Sequence, residues 1–208
     1  MLKDNNYGWK SADAPQSCDY LVPVILRLLT ELQPSSVLDI GTGNGAMCRS
    51  LIDAGYKVAG IEPDEAGLDI ARIHCGEAIL LNMGIEDSPE ALLAHFPARF
   101  DCVVSTEVVE HLYAPEHFAA FASACLKQGG HVVVSTPYHG YFKNIAIAAT
   151  GMWDFHHDPL WTGGHIKFWS RKTLKNLFKS AGFHEVRFLG VGRFPYLWKS
   201  MVVVFKKG

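Results

Sequence analysis

The sequence predicts an α/β protein in which a mainly parallel sheet of seven strands carries helices on both faces. Three features point to it. Between about residues 35 and 183, short apolar runs alternate with stretches of helical periodicity, a rhythm that calls for parallel strands joined by crossover helices. The stretch VLDIGTGNGAM, residues 37–47, closes an apolar run with one acid and three alternating glycines, a composition that lets backbone approach a ligand. The last two apolar runs have only a loop between them, so the final strand should be antiparallel. A chain of 208 residues can bury a core without cross-links. Residues 1–208 are therefore expected as one domain, with an N-terminal helical segment over 1–34 and a lid-like insertion at about 138–169.

Leu21, Ile25, Leu28, Leu29 and Leu32 recur at helical spacing and predict a helix over 18–32. SSVLDI is a short buried strand; AMCRSLIDAG after the glycine turn is a helix stopped at Gly55. KVAGIE is a second strand ending at Glu62, and Pro63 and Asp64 open the next helix. EAILL is a third strand, after which Ser88 and Pro89 should cap and start a helix. FDCVVS is the fourth strand, Pro115 starts a helix running to Leu126, and Gly129-Gly130 turns the chain into the fifth strand, HVVVSTP. Ser170 should cap RKTLKNLFKSAGF, with Trp169 and Leu174 spaced as a hydrophobic staple. EVRFLGVG and MVVVFKK complete the sheet.

Composition narrows the function. With 49% hydrophobic and 19% charged residues, the chain is expected to be globular rather than disordered. A net charge of −2 argues against a surface built mainly for nucleic acid. The first sixteen residues lack the basic head and apolar core of a signal peptide, and no run is long enough to span a bilayer. Five scattered cysteines without a C-x-x-C suit a reducing, cytoplasmic setting. No feature of the sequence sets an oligomeric state.

The glycine turn satisfies two patterns. Gly41, Gly43 and Ala46 fit the dinucleotide pattern G-x-G-x-x-A; Asp39, Gly41, Gly43 and Gly45 fit D-x-G-x-G-x-G. The motifs in order from Val37 to Pro137, together with the final hairpin, resemble the class I S-adenosylmethionine-dependent methyltransferases, with their Rossmann-like fold, over most of the chain. An acid at position 39 favours this family, because a dinucleotide needs that helix N-terminus for its pyrophosphate. The resemblance implies S-adenosylmethionine as cofactor, with Asp39 facing its cationic methionine portion. It implies Gly41, Thr42, Gly43 and Gly45 as the turn, Glu62 and Pro63 at the ribose, Gly84, Ile85 and Glu86 at the adenine, and Thr106 and Glu107 on the pocket rim. The alternatives are an NAD(P)-dependent oxidoreductase on the same turn and a domain that binds the cofactor without catalysis.

After the fourth strand, STEVVEHL places Glu107, Glu110 and His111 at i, i+3 and i+4, one face of a helical turn. EVVEH resembles two branches of the family, the ubiquinone-biosynthesis O-methyltransferases and the enzymes that methylate the 2′-hydroxyl at small-RNA 3′ ends. In both, this cluster is associated with a divalent cation. HIKFWSRK matches the order in which the RNA branch supplies a second histidine, here His165. The resemblance therefore implies Mg²⁺ or Mn²⁺ on Glu107, Glu110, His111 and His165, with His111, His165 and Glu107 as candidate catalytic groups. Arg171, Lys175 and Lys179 form a basic stripe that would matter only for a phosphate-bearing substrate such as an RNA end. The expected acceptor is a small-molecule hydroxyl.

The insertion holds eight aromatics (Tyr138, Tyr141, Phe142, Trp153, Phe155, Trp161, Phe168, Trp169), suited to an apolar acceptor pocket or to the core of a lid. NIAIAATGMW within it is apolar enough for peripheral contact with a membrane surface, or for a buried helix. His156, His157 and Asp158 read as loop. Tyr7 and Trp9 are candidates to close over the cofactor.

Overall fold

The computed structural model describes residues 8–208. Seven strands form one sheet: β1 (Ser36–Ile40), β2 (Lys57–Ile61), β3 (Ile79–Leu81), β4 (Phe100–Thr106), β5 (Leu126–Pro137), β6 (Phe183–Val191) and β7 (Ser200–Lys207). Their order is β3-β2-β1-β4-β5-β7-β6. All neighbours from β3 to β5 pair parallel, while β7 runs antiparallel to both β5 and β6. The order reverses between β1 and β4, so both strands aim their carboxyl ends at the crevice where such sheets bind ligands.

The period-2 alternation of the strands explains the layers. Leu38, Ile40, Val103, Val132, Val134 and Val203 face one side, with Phe118 and Phe121 of α5 (Pro115–Cys125) and Leu174 and Phe178 of α8 (Arg171–Ser180). Val37, Cys102, Val104, Val133 and Val202 face the other, under α1 (Cys18–Leu32) and α2 (Ala46–Asp53). Strands covered on both faces must be apolar at every position, hence the near-continuous runs in the sequence. A third cluster joins Cys48 of α2 to Leu68, Ala71 and Cys75 at α3 (Glu65–His74).

Local signals act as expected at several ends. Asp64 caps α3 by accepting from the Ala66 amide at 3.0 Å, and Ser170 and Thr173 close a capping box at α8. Trp169 and Leu174 are both buried in the core, as a staple requires. Four expectations are corrected. The N-terminal segment is helical only from Cys18 among the described residues. Ser88 makes no side-chain cap for α4 (Pro89–Leu93); its hydroxyl turns to Glu90 instead. The Gly129-Gly130 pair lies within β5, whose first residue already pairs with Phe100 before a register shift. His156 and His157 are not loop but close α7 (Trp153–His157), which follows α6 (Tyr141–Ala149) in the insertion.

Candidate active site

The tips of β1 and β2 build the first half of the site. The amides of Gly41 and Thr42 both donate to the Ile61 carbonyl, at 2.9 and 3.1 Å, and so bind the glycine turn to β2. Gly41, Gly43 and Gly45 hold φ of 80°, 55° and 89°, a region that side chains with a Cβ avoid. Space excludes a Cβ as well: at Gly45 it would stand 2.9 Å from the Ala71 backbone. Thr42 is buried, its hydroxyl donating to the Asp39 carbonyl at 3.3 Å. Glu62 is buried and accepts from the Gly43 amide at 2.8 Å and the Asp64 amide at 2.9 Å, one bond to each carboxylate oxygen.

Asp39 is different. It is 1% exposed, and neither carboxylate oxygen has a hydrogen-bond partner among the described residues. Burial, with the Glu62 charge added, pushes its carboxyl up to about 7. A buried acid left unpaired is costly unless a cation or donor completes it. This is the place where a ligand's cationic end fits.

The N-terminal segment crosses the same turn. The Asn44 amide donates to the carbonyls of Ser11 and Asp13, at 3.0 and 2.9 Å. The indole of Trp9 lies where Cβ atoms on Gly43 and Gly67 would otherwise stand, within 2.6 Å of either. Trp9 therefore packs on the glycine turn; Tyr7 lies outside the described residues. Past β3, Ile85 packs half-buried against the core, and a Cβ on Gly84 would come within 3.6 Å of Pro63. Glu86 turns to His117 of α5 instead.

The second half of the site follows β4, where Thr106 pairs with Ser135. Residues 107–113 form no helix, which corrects the expected helical face. Glu107 has a left-handed φ of 54°, and its amide donates to the Ser135 carbonyl at 3.2 Å. The carboxylate then swings to the hydroxyls of Ser135 (2.8 Å) and Ser200 (3.1 Å). Tyr20 of α1 meets the same Ser200 hydroxyl at 3.2 Å. Burial pushes the Glu107 carboxyl up to about 7 against the pull of these hydroxyls.

Glu110 and His111 point elsewhere. The carbonyl of Glu110 accepts from the Ile166 and Lys167 amides, both at 2.9 Å, and the Trp169 indole donates to the Val109 carbonyl at 3.2 Å. His111 Nδ1 meets the Gly163 carbonyl at 2.7 Å; it must donate there, which fixes the tautomer and leaves the lone pair on Nε2. These bonds lace the segment after the insertion onto the turn after β4 and deliver His165. The donor atoms of Glu110, His111 and His165 lie within 4.8 Å of one another, His165 Nε2 being 4.0 Å from Glu110 Oε1. Both Glu110 oxygens are buried without a hydrogen-bond partner, and burial, then the Glu107 charge, raises its carboxyl well above the usual range. Burial holds His165 down, to about 4. Two neutral imidazoles and an unsatisfied carboxylate make a mixed N/O donor set that fits a divalent cation. Glu107, expected as a fourth ligand, stands outside this group, its oxygens taken by the two serines.

The insertion packs against this half but leaves half of its aromatics outside. Tyr141, Phe142, Trp153 and Phe155 are all more than half exposed, so these four do not form the lid core that was one of the two expectations. His139 and His157 stack at 5.6 Å, and His157 meets Phe168 edge-on. Three residues here went unnoticed in the sequence. Ser135 and Ser200 look like ordinary strand residues, whereas Lys143 was visible as the lone charge in YFKNIAIAA.

Comparison with known proteins bears on this geometry. Residues 15–187 match the family model described as a methyltransferase domain. The ubiquinone biosynthesis O-methyltransferase of Azoarcus sp. (strain BH72) is 32% identical over 161 residues, covering 77% of this chain and 69% of that protein. The protein of the same name from Proteus mirabilis is 34% identical over 100 residues, covering 48% of this chain but only 41% of its own length. Among solved structures, magnesium protoporphyrin IX methyltransferase from Synechocystis PCC 6803 with bound SAH superposes with a TM-score of 0.67 at 14% identity, covering 90% of this chain and 82% of that one. The orphaned Asp39 and the glycine cradle suit the methyl donor rather than a nicotinamide dinucleotide, and with the matched 15–187 they identify the chain as a member of the methyltransferase domain family, of the class I S-adenosylmethionine-dependent kind.

Proposed function

We propose that the chain methylates a hydroxyl of a small organic acceptor, assisted by a divalent cation on Glu110, His111 and His165. The observation that carries this is the convergence of those three donors around a buried carboxylate with no hydrogen-bond partner. When bound, S-adenosylmethionine supplies an electrophilic methyl group, and Mg²⁺ or Mn²⁺ supplies charge that lowers the pKa of an acceptor hydroxyl.

The protein's own groups do the rest. Asp39 presents a carboxylate to the donor's ammonium. Glu62, steadied by the Gly43 and Asp64 amides, keeps a lone pair on each oxygen for the ribose diol. Ile85 offers an apolar face to the adenine. His165 is uncharged at neutral pH, so its Nε2 can ligate or take the hydroxyl proton. Glu107, fixed by Ser135 and Ser200, borders both halves and holds the turn open for the methyl group. Orientation of this kind is worth up to about 7–11 kcal/mol of barrier. The two exposed helices of the insertion act as a lid that excludes water. No helix of the described residues is long and apolar enough to cross a membrane, and five free thiols, four of them buried, suit a reducing cytoplasm.

The test is methyl transfer from labelled S-adenosylmethionine to a panel of phenols and catechols, run with EDTA and after Mg²⁺ or Mn²⁺ is restored. Activity should fall at least about a hundredfold in EDTA and in Glu110→Gln, with S-adenosylhomocysteine binding retained. Full activity in either case overturns the cation. Absence of S-adenosylhomocysteine binding overturns the donor.

A further inference from the structure

Glu107 holds a conformation that its own chemistry does not favour. Its φ of 54° lies in the left-handed region, and a residue with a Cβ stays there only when its surroundings over-determine it. Those surroundings are identifiable. The Glu107 amide donates to the carbonyl and to the hydroxyl of Ser135, both at 3.2 Å, and the Ser135 hydroxyl donates to one carboxylate oxygen at 2.8 Å. The other oxygen takes the Ser200 hydroxyl at 3.1 Å. Glu107 forms no ion pair among the described residues. Two serines, both buried, therefore hold its side chain.

The second serine is itself held from far along the chain. A serine hydroxyl has one proton to give, and Ser200 gives it to Glu107, since an ionised carboxylate only accepts. The 3.2 Å contact between Tyr20 and Ser200 therefore has Tyr20 as donor, and the order runs from Tyr20 to Ser200 to Glu107. The Tyr20 ring packs at the edge of the core under α1, with the Lys199 ammonium 5.3 Å from its centre. Phe would serve that packing as well; the hydroxyl is what reaches Ser200. Tyr20 also arrives by a short path from the glycine turn. Asn44 holds the carbonyls of Ser11 and Asp13, and the Cys18 amide on the Pro15 carbonyl, at 2.8 Å, turns the chain into α1. The segment that fastens Glu107 is thus anchored to the cofactor cradle.

We infer that Tyr20 is a positioning residue for methyl transfer: acting through Ser200, it keeps Glu107 in its left-handed turn and so fixes the course of residues 107–111 relative to the methyl donor. The inference rests on the role proposed for Glu107 in holding that turn, and on no particular acceptor. The turn needs outside support. It is not helical, and within it the His111 amide bonds the Val108 carbonyl at 2.9 Å. Glu110 and His111 meet His165 only by following its course. Releasing Glu107 lets the backbone relax out of the left-handed region, and a shift of about 1 Å in reacting groups is enough to slow a reaction about a hundredfold.

The test is hydrogen–deuterium exchange of the parent, Tyr20→Phe, Ser200→Ala and the double variant, each saturated with S-adenosylhomocysteine. Amides within residues 105–113 should exchange about three- to tenfold faster in either single variant, while β1, β2 and the body of α1 keep their rates. The double variant should match Ser200→Ala, because Tyr20 acts through that hydroxyl. Tyr20→Phe should bind S-adenosylhomocysteine within about threefold of the parent by calorimetry, and a thermal melt verifies each fold. On an acceptor from the phenol panel, kcat should fall about tenfold in Tyr20→Phe, with KM for S-adenosylmethionine unchanged. Unchanged exchange in residues 105–113 overturns the inference, as does an unchanged kcat. Faster exchange spread over α1 also overturns it, by making Tyr20 a fastener of that helix. So does a double variant in which the two effects add, or loss of S-adenosylhomocysteine binding in Tyr20→Phe, which would put Tyr20 in the cofactor site. Failure of the hydroxyl reading is separate: it shows as no methylated product while the exchange pattern stands.

Discussion

The two halves of the site are built in opposite ways. At the β1 and β2 tips, polar groups are met by backbone from the same two strand ends: Gly41 and Thr42 on the Ile61 carbonyl, Glu62 on the Gly43 and Asp64 amides. Only the Asp39 carboxylate is left there without a partner among the described residues. Around the turn after β4 the partners come from distant segments. His111 is held by the carbonyl of Gly163, Glu107 by the hydroxyl of Ser200, and Lys143 by the carbonyl of Lys199. The first half is a rigid backbone cradle for a fixed cofactor. The second joins side chains of the turn after β4 to partners from the insertion and the β6–β7 hairpin, segments that can change at little cost to the fold.

Breaking the cradle should do the most damage. Gly45→Ala forces a Cβ against the Ala71 backbone at 2.9 Å with φ at 89°. Strain and overpacking together should cost about 2–4 kcal/mol, a fall in Tm on the order of 10 °C, with S-adenosylhomocysteine binding lost. A melt within about 1 °C of the parent would show that the turn has slack.

A smaller effect with a definite sign is expected at Asp39. In the unfolded chain its carboxyl ionises near its ordinary value of 3.8, but in the folded protein only near 7. The folded state thus keeps a proton that the unfolded state has lost, and stability falls as pH rises from about 4 to about 7, then levels off. Asp39→Asn removes this dependence while weakening S-adenosylhomocysteine binding at least about tenfold. Its Tm should therefore gain on the parent's across that window and hold the gain above pH 7. Taking the difference between the two proteins cancels the histidines, whose lowered values act oppositely. A constant difference at every pH would contradict the buried, unpaired acid.

The smallest effect belongs to the lid. Leu160 is 92% exposed, so Leu160→Ser should change stability by no more than about 0.5 kcal/mol. A larger drop in Tm would mean that the insertion is part of the folding core and that the contrast between the halves is overdrawn.

Much of this contrast was legible beforehand. The acid and glycines of residues 37–45, and Glu62 after an apolar run, stand in local patterns whose backbone needs are met within one βαβ unit. The fold followed from the same alternation. The turn after β4 was legible in its residue types but not in its geometry. Glu107, Glu110 and His111 have helical spacing, yet the left-handed φ of Glu107 sends its carboxylate to two serines and leaves Glu110 and His111 to meet His165. No spacing rule foresees that, because it depends on where β5 and β7 place Ser135 and Ser200.

Sequence alone therefore determined the sheet, its layers and the cofactor turn, since periodicity and local backbone chemistry act over a few residues and survive in any packing. Tertiary structure alone decided which of the acids stay unpaired, which histidines converge, and that the single lysine of an apolar helix points inward. Those outcomes depend on burial and on partners supplied from far along the chain. Desolvation gives them their chemical character, and it exists only once the chain has folded.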